Sequence, residues 1–272
     1  MKTLIVIPSR YASTRFPRKP LHLISGRSLL SRVADVAKAS AEGTSNVSYV
    51  VATDHEDIAA HAREIGAPVV MTDPDLPSGT DRALAAANLA APDADFIVNL
   101  QGDAPFTPPD YVSAVIAAGR TTRFDAVTPI VQLSWADLDE VRERKKETPF
   151  SGTSCVVNAE GEALWFSKNV LPAIRKESEM RDQDALSPVW RHIGLYGYKR
   201  AALERFVSLP EGHYERLEGL EQLRFLENGL RIQAVKVAAS ASAMWGIDTP
   251  QDAAHAEALI AKHGEPLITG AP

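Results

Sequence analysis

Leu4-Ile5-Val6-Ile7-Pro8, continued by Ser9-Arg10-Tyr11-Ala12-Ser13-Thr14-Arg15-Phe16-Pro17-Arg18-Lys19-Pro20, is the stretch on which the fold turns. Four consecutive apolar residues with no polar alternation, three of them β-branched, read as a strand buried on both faces, as in a parallel sheet. Pro8 stops the strand and a loop follows. In open α/β sheets ligands bind outside the carboxyl ends of the strands, so this loop is where a ligand is expected. It carries Arg10, Arg15, Arg18 and Lys19 among small hydroxyl residues, a composition suited to a triphosphate. Guanidinium groups supply paired donors and lysine a compact cation, each charge-assisted bond being worth roughly 1.5–3 kcal/mol. A plain basic surface loop would have the same composition. The chain lacks G-x-x-x-x-G-K-[ST] and G-x-G-x-x-G, which argues against a P-loop NTPase and a dinucleotide binder.

Outward from this loop the pattern repeats. Ser28 to Ala41 spaces Leu29, Leu30, Val33, Val36 and Ala37 helically; Val47 to Ala52 reads as a strand, His55 to Ile65 as a helix and Val69 to Met71 as a strand. Asp81 to Ala91 is a helix, and Phe96 to Leu100 is a strand ending at Gln101-Gly102-Asp103. This alternation implies βαβ units and a sheet covered on both faces. Beyond Arg123, strands are expected at Ala126 to Leu133, Ser154 to Val157, Leu164 to Phe166, Ile193 to Tyr198 and Ile232 to Val237. Helices are expected at Ala201 to Phe206, Leu217 to Asn228 and Pro250 to Lys262. Arg142 to Glu147 reads as a solvated helix face without chemistry, and Arg175 to Ser187, between two prolines, as a mobile loop.

The 272 residues, 45% hydrophobic and 24% charged, suit one large core or two modest ones and exclude disorder and collagen-like repetition. The net charge of −6 excludes the basic footprint that nucleic acid attracts. The one cysteine, Cys155, favours a reducing compartment, so a cytoplasmic protein is expected. No apolar run approaches the roughly 20 residues of a membrane helix, and no signal-peptide pattern is visible.

Asp103, at the end of the fourth strand, and Asp248 are the strongest metal candidates. Magnesium takes oxygen ligands, commonly one or two carboxylates plus phosphates and waters, whereas zinc prefers nitrogen and sulfur. Each could equally be a turn or cap residue, and Asp248 before Thr249-Pro250 could start the last helix. His192, Gly194 and Tyr196 share one strand face by period-two alternation. Ser78-Gly79-Thr80 is a plausible helix cap, and Gly79 permits close backbone approach.

Seven segments in order carry a resemblance: R-Y-A-S-T-R-F-P-R-K-P-L from Arg10, A-T-D-H-E-D from Ala52, S-G-T-D-R from Ser78, N-L-Q-G-D-A-P from Asn99, R-H-I-G-L-Y-G-Y from Arg191, L-E-Q-L-R from Leu220 and G-I-D-T-P-Q-D from Gly246. Together they resemble the 3-deoxy-manno-octulosonate cytidylyltransferase family, the CMP-KDO synthetases. The resemblance implies a Rossmann-like, glycosyltransferase-A-like nucleotidyltransferase: a mixed, mostly parallel sheet covered by helices. Its CTP-binding body would be 1–124 and 199–272, with a smaller subdomain, 125–198, for sugar binding and homodimerisation. The implied reaction transfers CMP from CTP to the anomeric hydroxyl of an eight-carbon ulosonic acid. The implied CTP site is Arg10, Ser13, Arg15, Lys19, Asp54, Ser78, Gly79, Thr80 and Gln101. The implied sugar site is Gln101, Lys168, His192, Tyr196, Glu221 and Gln222, and Asp103 and Asp248 would hold Mg²⁺. Arg15, Lys19, Asp103 and Asp248 would carry the chemistry.

The chain departs from the family pattern in four places. Ala104 follows Gln-Gly-Asp where Glu is usual, Arg18 precedes Lys19-Pro20 where Gly is usual, Lys168 stands for Arg, and Ser154 for Lys. The Arg-to-Lys change removes a bidentate fork and falls on the sugar side. Rival readings are a cytidylyltransferase for a related sugar acid (an 8-amino-octulosonate or a nonulosonate), a metal-dependent glycosyltransferase, or a non-catalytic nucleotide-binding module.

Overall fold

A computed structural model describes residues 1–12, 16–240 and 246–265. In chain order the strands are β1 (Thr3–Ser9), β2 (Leu23–Ile24), β3 (Arg27–Ser28), β4 (Val47–Thr53), β5 (Val69–Met71), β6 (Phe96–Leu100), β7 (Ala126–Ser134), β8 (Ser154–Val157), β9 (Ala163–Ser167), β10 (Leu186–His192), β11 (Leu195–Lys199) and β12 (Ile232–Val237). The helices are α1 (Leu29–Ala41), α2 (Glu56–Glu64), α3 (Gly79–Ala90), α4 (Pro109–Thr121), α5 (Trp135–Glu147), α6 (Glu177–Gln183), α7 (Arg200–Val207), α8 (His213–Glu218), α9 (Leu223–Glu227) and α10 (Pro250–His263). Among the described residues no helix is long and apolar enough to cross a membrane.

The sheet is mixed, in the order β5-β4-β1-β6-β11-β7-β10-β8-β9, with β12 alongside β7. From β5 to β6 all pairings are parallel. β1 is buried on both faces, as its unbroken apolar run requires. Ile5 and Ile7 enter one core with α1 and α4, whereas Leu4 and Val6 enter the other with α3. Burying each such side chain contributes about 1.5–3 kcal/mol. Cys155 is buried in the second core, where desolvation pushes its thiol up to about 12.

Past β6 the pairings turn antiparallel, except that β12 runs parallel to β7. The strand expected from Ile193 to Tyr198 is β11, which begins two residues later, and β10, which sequence reasoning missed, ends just before it, across a kink of the chain at Ile193–Gly194. β10 pairs with β8 as far as Arg191–Ser154, and β11 pairs with β6 from Leu195–Leu100 onward. Both lie along β7. His192 and Tyr196 still meet, with ring centroids 5.2 Å apart, through the kink rather than simple alternation.

Two further expectations are corrected, and one helix without an expectation is added. The segment 175–187 is not a loop: it holds α6 and the start of β10. No buried apolar face supports α6; Glu177 takes a fork from Arg142 at 2.8 and 2.9 Å, and Arg181 forks onto Asp139 at 2.9 and 2.6 Å. The single helix expected from Leu217 to Asn228 is α8 and α9, broken where Gly219 takes φ +61°. Helix α4 was hidden at sequence level by its opening prolines, which suit a first turn that needs no N–H donor.

Candidate active site

The loop after β1 is fixed at both ends. Phe16 is buried in the core, Pro20 is buried beside Lys19, and Lys19 N–H donates to the Phe16 carbonyl at 3.2 Å. Lys19 Nζ therefore projects from a fixed turn and lies 3.1 Å from Asp103 Oδ2 and 3.5 Å from Asp248 Oδ1. Two backbone features bring the aspartates there. A Cβ on Gly102 would stand 2.4 Å from the Pro8 carbonyl, so only glycine lets the turn after β6 lie against the end of β1. The Ile247 N–H donates to the Asp103 carbonyl at 2.8 Å, tying the segment before α10 to that turn.

Asp248 does not cap α10. Thr249 does, in a capping box with Asp252, which leaves the Asp248 carboxylate for Lys19. The turns that carry Lys19, Asp103 and Asp248 thus converge on one point. Their oxygen-only donor set fits a hard divalent cation completed by substrate phosphates; among the described residues no three His, Cys, Asp or Glu side chains cluster as a self-sufficient metal cage.

Ser13 and Arg15 lie outside the described residues. Arg10 is exposed, its guanidinium 3.5 Å from the Pro77 carbonyl. Arg18, unlike Lys19, turns away from the aspartates: it donates to Tyr11 Oη and, at 3.2 Å, to Asp57. Its φ of +59° is left-handed, a conformation glycine adopts without strain, and these partners offset its cost.

Ser78 caps α3, accepting from the N–H groups of Thr80 and Asp81 at 3.1 Å each. A Cβ on Gly79 would meet only ordinary contact with Pro8, so packing alone does not demand glycine there. Asp54 is engaged within the fold. It accepts from the Tyr11 N–H at 3.0 Å and pairs at 3.1 Å with Arg82, which has no exposed side-chain surface.

The six residues expected to bind the sugar, Gln101, Lys168, His192, Tyr196, Glu221 and Gln222, line one cavity of about 350 Å³. The cavity opens where β6 and β8 part company at the strand kink. Gly194 gives Gln101 room: a Cβ there would approach its amide to 3.2 Å. Sequence reasoning missed Asn99, Thr153 and Arg191 in the lining. Asn99 had a visible signal, being the one polar residue in Phe-Ile-Val-Asn-Leu. Asn99 Oδ1 and Gln222 Nε2 are buried without a hydrogen-bond partner, and buried polar atoms are normally satisfied. A hydroxyl-rich ligand supplies such partners.

Cations and an acid occupy the same cavity. Burial lowers the Lys168 ammonium pKa, opposed by the charges of Glu218 and Asp248, and Gln101 in the lining stands two residues before Asp103 of the Lys19 cluster. Burial raises Glu221, opposed by a hydrogen bond from Thr80. Thr80 thus belongs to the wall of this cavity as well as to the α3 cap.

His192 is held neutral. Burial, then the charges of Lys168 and Arg191, lower its pKa to about 3 from 6.5. Thr128 Oγ1 lies 2.8 and 3.3 Å from the Leu195 and Ile193 carbonyls, so its single proton goes to a carbonyl. The 2.9 Å contact with His192 Nε2 is therefore an Nε2–H donating to Thr128, which leaves Nδ1 as an acceptor. Two results are expected. The imidazole NMR signals should keep the neutral signature from pH 8 to pH 5, and a mid-range titration would refute the assignment. By linkage, the unfolded chain binds a proton near pH 6.5 that the folded chain refuses until about pH 3. His192 should therefore leave stability unaffected above about 6.5 and lower it progressively as pH falls toward 3.

The cytidylyltransferase family model matches residues 4–232. The chain is 42% identical over 266 residues to the 3-deoxy-manno-octulosonate cytidylyltransferase of Maricaulis maris, covering 97% of this chain and 99% of that one. It is 38% identical over 266 residues to the protein of the same name from Bacteroides thetaiotaomicron, covering 96% and 98%. Among solved structures it matches a CMP:2-keto-3-deoxy-manno-octonic acid synthetase complexed with CTP, with TM-score 0.80, 31% identity and coverage of 96% and 99%.

Proposed function

The chain belongs to the 3-deoxy-manno-octulosonate cytidylyltransferase family, and from that premise we propose how its own residues perform the reaction. It transfers CMP from CTP to the anomeric hydroxyl of 3-deoxy-manno-octulosonate, releasing pyrophosphate, in lipopolysaccharide or surface polysaccharide synthesis. The observation that carries the division of labour is the junction of two sites. Lys19, Asp103 and Asp248 meet within 3.5 Å, and the sugar cavity adjoins them through Gln101 and Lys168.

The sugar hydroxyl attacks the α-phosphorus in line as the bond to the bridging oxygen of pyrophosphate breaks, and catalysis rests on positioning and charge neutralisation. Lys19 takes up charge on the departing pyrophosphate, with Arg10 at the exposed edge. Arg15 has the same expected role from sequence. Asp103 and Asp248 would hold Mg²⁺, which supplies charge neutralisation on the triphosphate. Lys168 meets the sugar's carboxylate, while His192 Nδ1 and Glu221 accept from its hydroxyls and Gln222 donates. Neutral His192, with its pKa near 3, binds and orients rather than abstracting a proton.

We place the enzyme in the cytoplasm as a homodimer, with 1–124 and 199–272 binding CTP and 125–198 forming the sugar-side subdomain and dimer contact. Phe150, Leu164, Met180 and Leu186 on that segment are exposed, which supports the dimer. A monomer by light scattering at micromolar concentration would remove that part.

The function is tested by pyrophosphate release across CTP, other nucleotides and several ulosonic acids, with and without Mg²⁺. Release with CTP and 3-deoxy-manno-octulosonate, dependent on Mg²⁺, is expected. A higher kcat/KM for another sugar acid would reassign the acceptor. Silence with CTP and activity with another nucleotide would reassign the base.

A further inference from the structure

Lys145 has no part in the reaction as described. It lies on α5, in the charged run whose sequence suggested only a solvated face. Its Nζ instead donates to three backbone carbonyls: Lys168 O at 2.6 Å, Pro149 O at 3.3 Å and Ser151 O. An ammonium has three N–H donors, so these contacts use all of them and leave none for a ligand. Burial lowers its pKa, and the charges of Lys168 and Arg191 lower it further.

The three carbonyls belong to two segments outside the strands. Pro149 and Ser151 lead directly into Gly152 and Thr153, which line the sugar cavity. The Thr153 carbonyl in turn accepts from the His192 N–H at 2.9 Å. The other segment is Lys168, which lines the same cavity beside Thr153, one step beyond the Ser154–Ser167 pair of β8 and β9. Its peptide is gripped from both ends: Glu218 accepts from the Lys168 N–H at 2.8 Å and from Ser167 Oγ at 2.8 Å, while Lys145 holds the carbonyl.

We propose that Lys145 is a positioning residue for the acceptor half of the reaction: by tying the 149–151 backbone to the Lys168 carbonyl it fixes how these two neighbouring segments present Thr153 and Lys168 to the sugar cavity. This rests on the cavity being the sugar site. Lys145 touches no substrate, so its effect is confined to the sugar acid. Its three donors are spent on those carbonyls, leaving none for the Lys19, Asp103 and Asp248 cluster.

Lys145→Met, which keeps length and removes every donor, and Lys145→Arg, which keeps the charge and several donors, test the proposal in the full-length enzyme with steady-state kinetics in both substrates. K145M should raise the KM for the sugar acid about tenfold or more, with the KM for CTP and kcat within about twofold, and K145R should recover most of the loss. Lys145→Gln, with one amide group left to donate, should fall between them and serves as the second test should K145M not fold. An unchanged sugar KM in K145M or K145Q would overturn the proposal. So would a parallel rise of both KM values with a lowered melting temperature, the mark of a general structural role. Failure of the cavity assignment is distinguishable, since Gln222→Ala in the lining would then leave the KM for the sugar acid unchanged, whereas failure of the function reading would leave the wild-type enzyme without turnover of the sugar acid.

Discussion

Exchanging Asp103 for asparagine is expected to lower pyrophosphate release from CTP by about a thousandfold while the protein stays folded. The substitution keeps shape and removes one charge. A thousandfold loss corresponds to about 4 kcal/mol of transition-state stabilisation, within the several kcal/mol that a metal-held charge at a transferring phosphoryl group supplies. Position makes Asp103 the larger contributor of the two aspartates. It lies 3.1 Å from Lys19 with its side chain 29% exposed, whereas Asp248 lies at 3.5 Å with 50% exposed and should cost less when changed to asparagine. Both variants should melt near the wild-type temperature, since neither carboxylate is buried. Near-normal turnover in either would remove that residue from the metal site.

Changing Asp54 to asparagine should act on the fold instead. Arg82 is wholly enclosed, and Asp54 is its carboxylate partner at 3.1 Å, with Thr72 Oγ1 at 2.5 Å as its other contact. Removing one member of a buried pair leaves the other charge uncompensated, at a cost of about 3–5 kcal/mol. Urea denaturation should show a loss of that size in D54N. The double variant Asp54→Leu with Arg82→Met should recover much of it, because apolar replacement removes both desolvation costs. The contrary outcome is a D54N protein of nearly normal stability with a much higher KM for CTP; that would make Asp54 a nucleotide ligand in the first instance.

Legibility in the sequence followed the physics of each segment. The parallel half, from β1 to β6, was readable because strands buried on both faces must be uninterrupted apolar runs and their covering helices must show a 3.6-residue period. Helix α6 was not, because interlocked Arg and Glu forks hold it and leave no apolar stripe to read. The strand kink was not, because Ile193-Gly194 looks like ordinary strand sequence until β8 and β6 compete for the same edge. In the site, collinear motifs placed Lys19, Asp103 and Asp248 in one sentence of chemistry, and the structure places them within 3.5 Å. The cavity's polar set was readable by the same route. Lys145 was invisible for a definite reason: a lysine that serves backbone carbonyls leaves no side-chain partner in the sequence to betray it.

The kink at Ile193–Gly194 has an evolutionary consequence. Gln101, Thr153 and Lys168 each lie one residue beyond the end of a strand, at β6, β8 and β9, so their side chains hang from a border where two neighbour sets meet. Exchanging residues on such a border removes no layer of either hydrophobic core. Of the four departures from the family pattern, Ser154, the buried first residue of β8, and Lys168 lie at it, whereas Arg18 lies in the loop from β1 and Ala104 beside Asp103. Changes at this border can therefore reshape the proposed acceptor site without touching either apolar core.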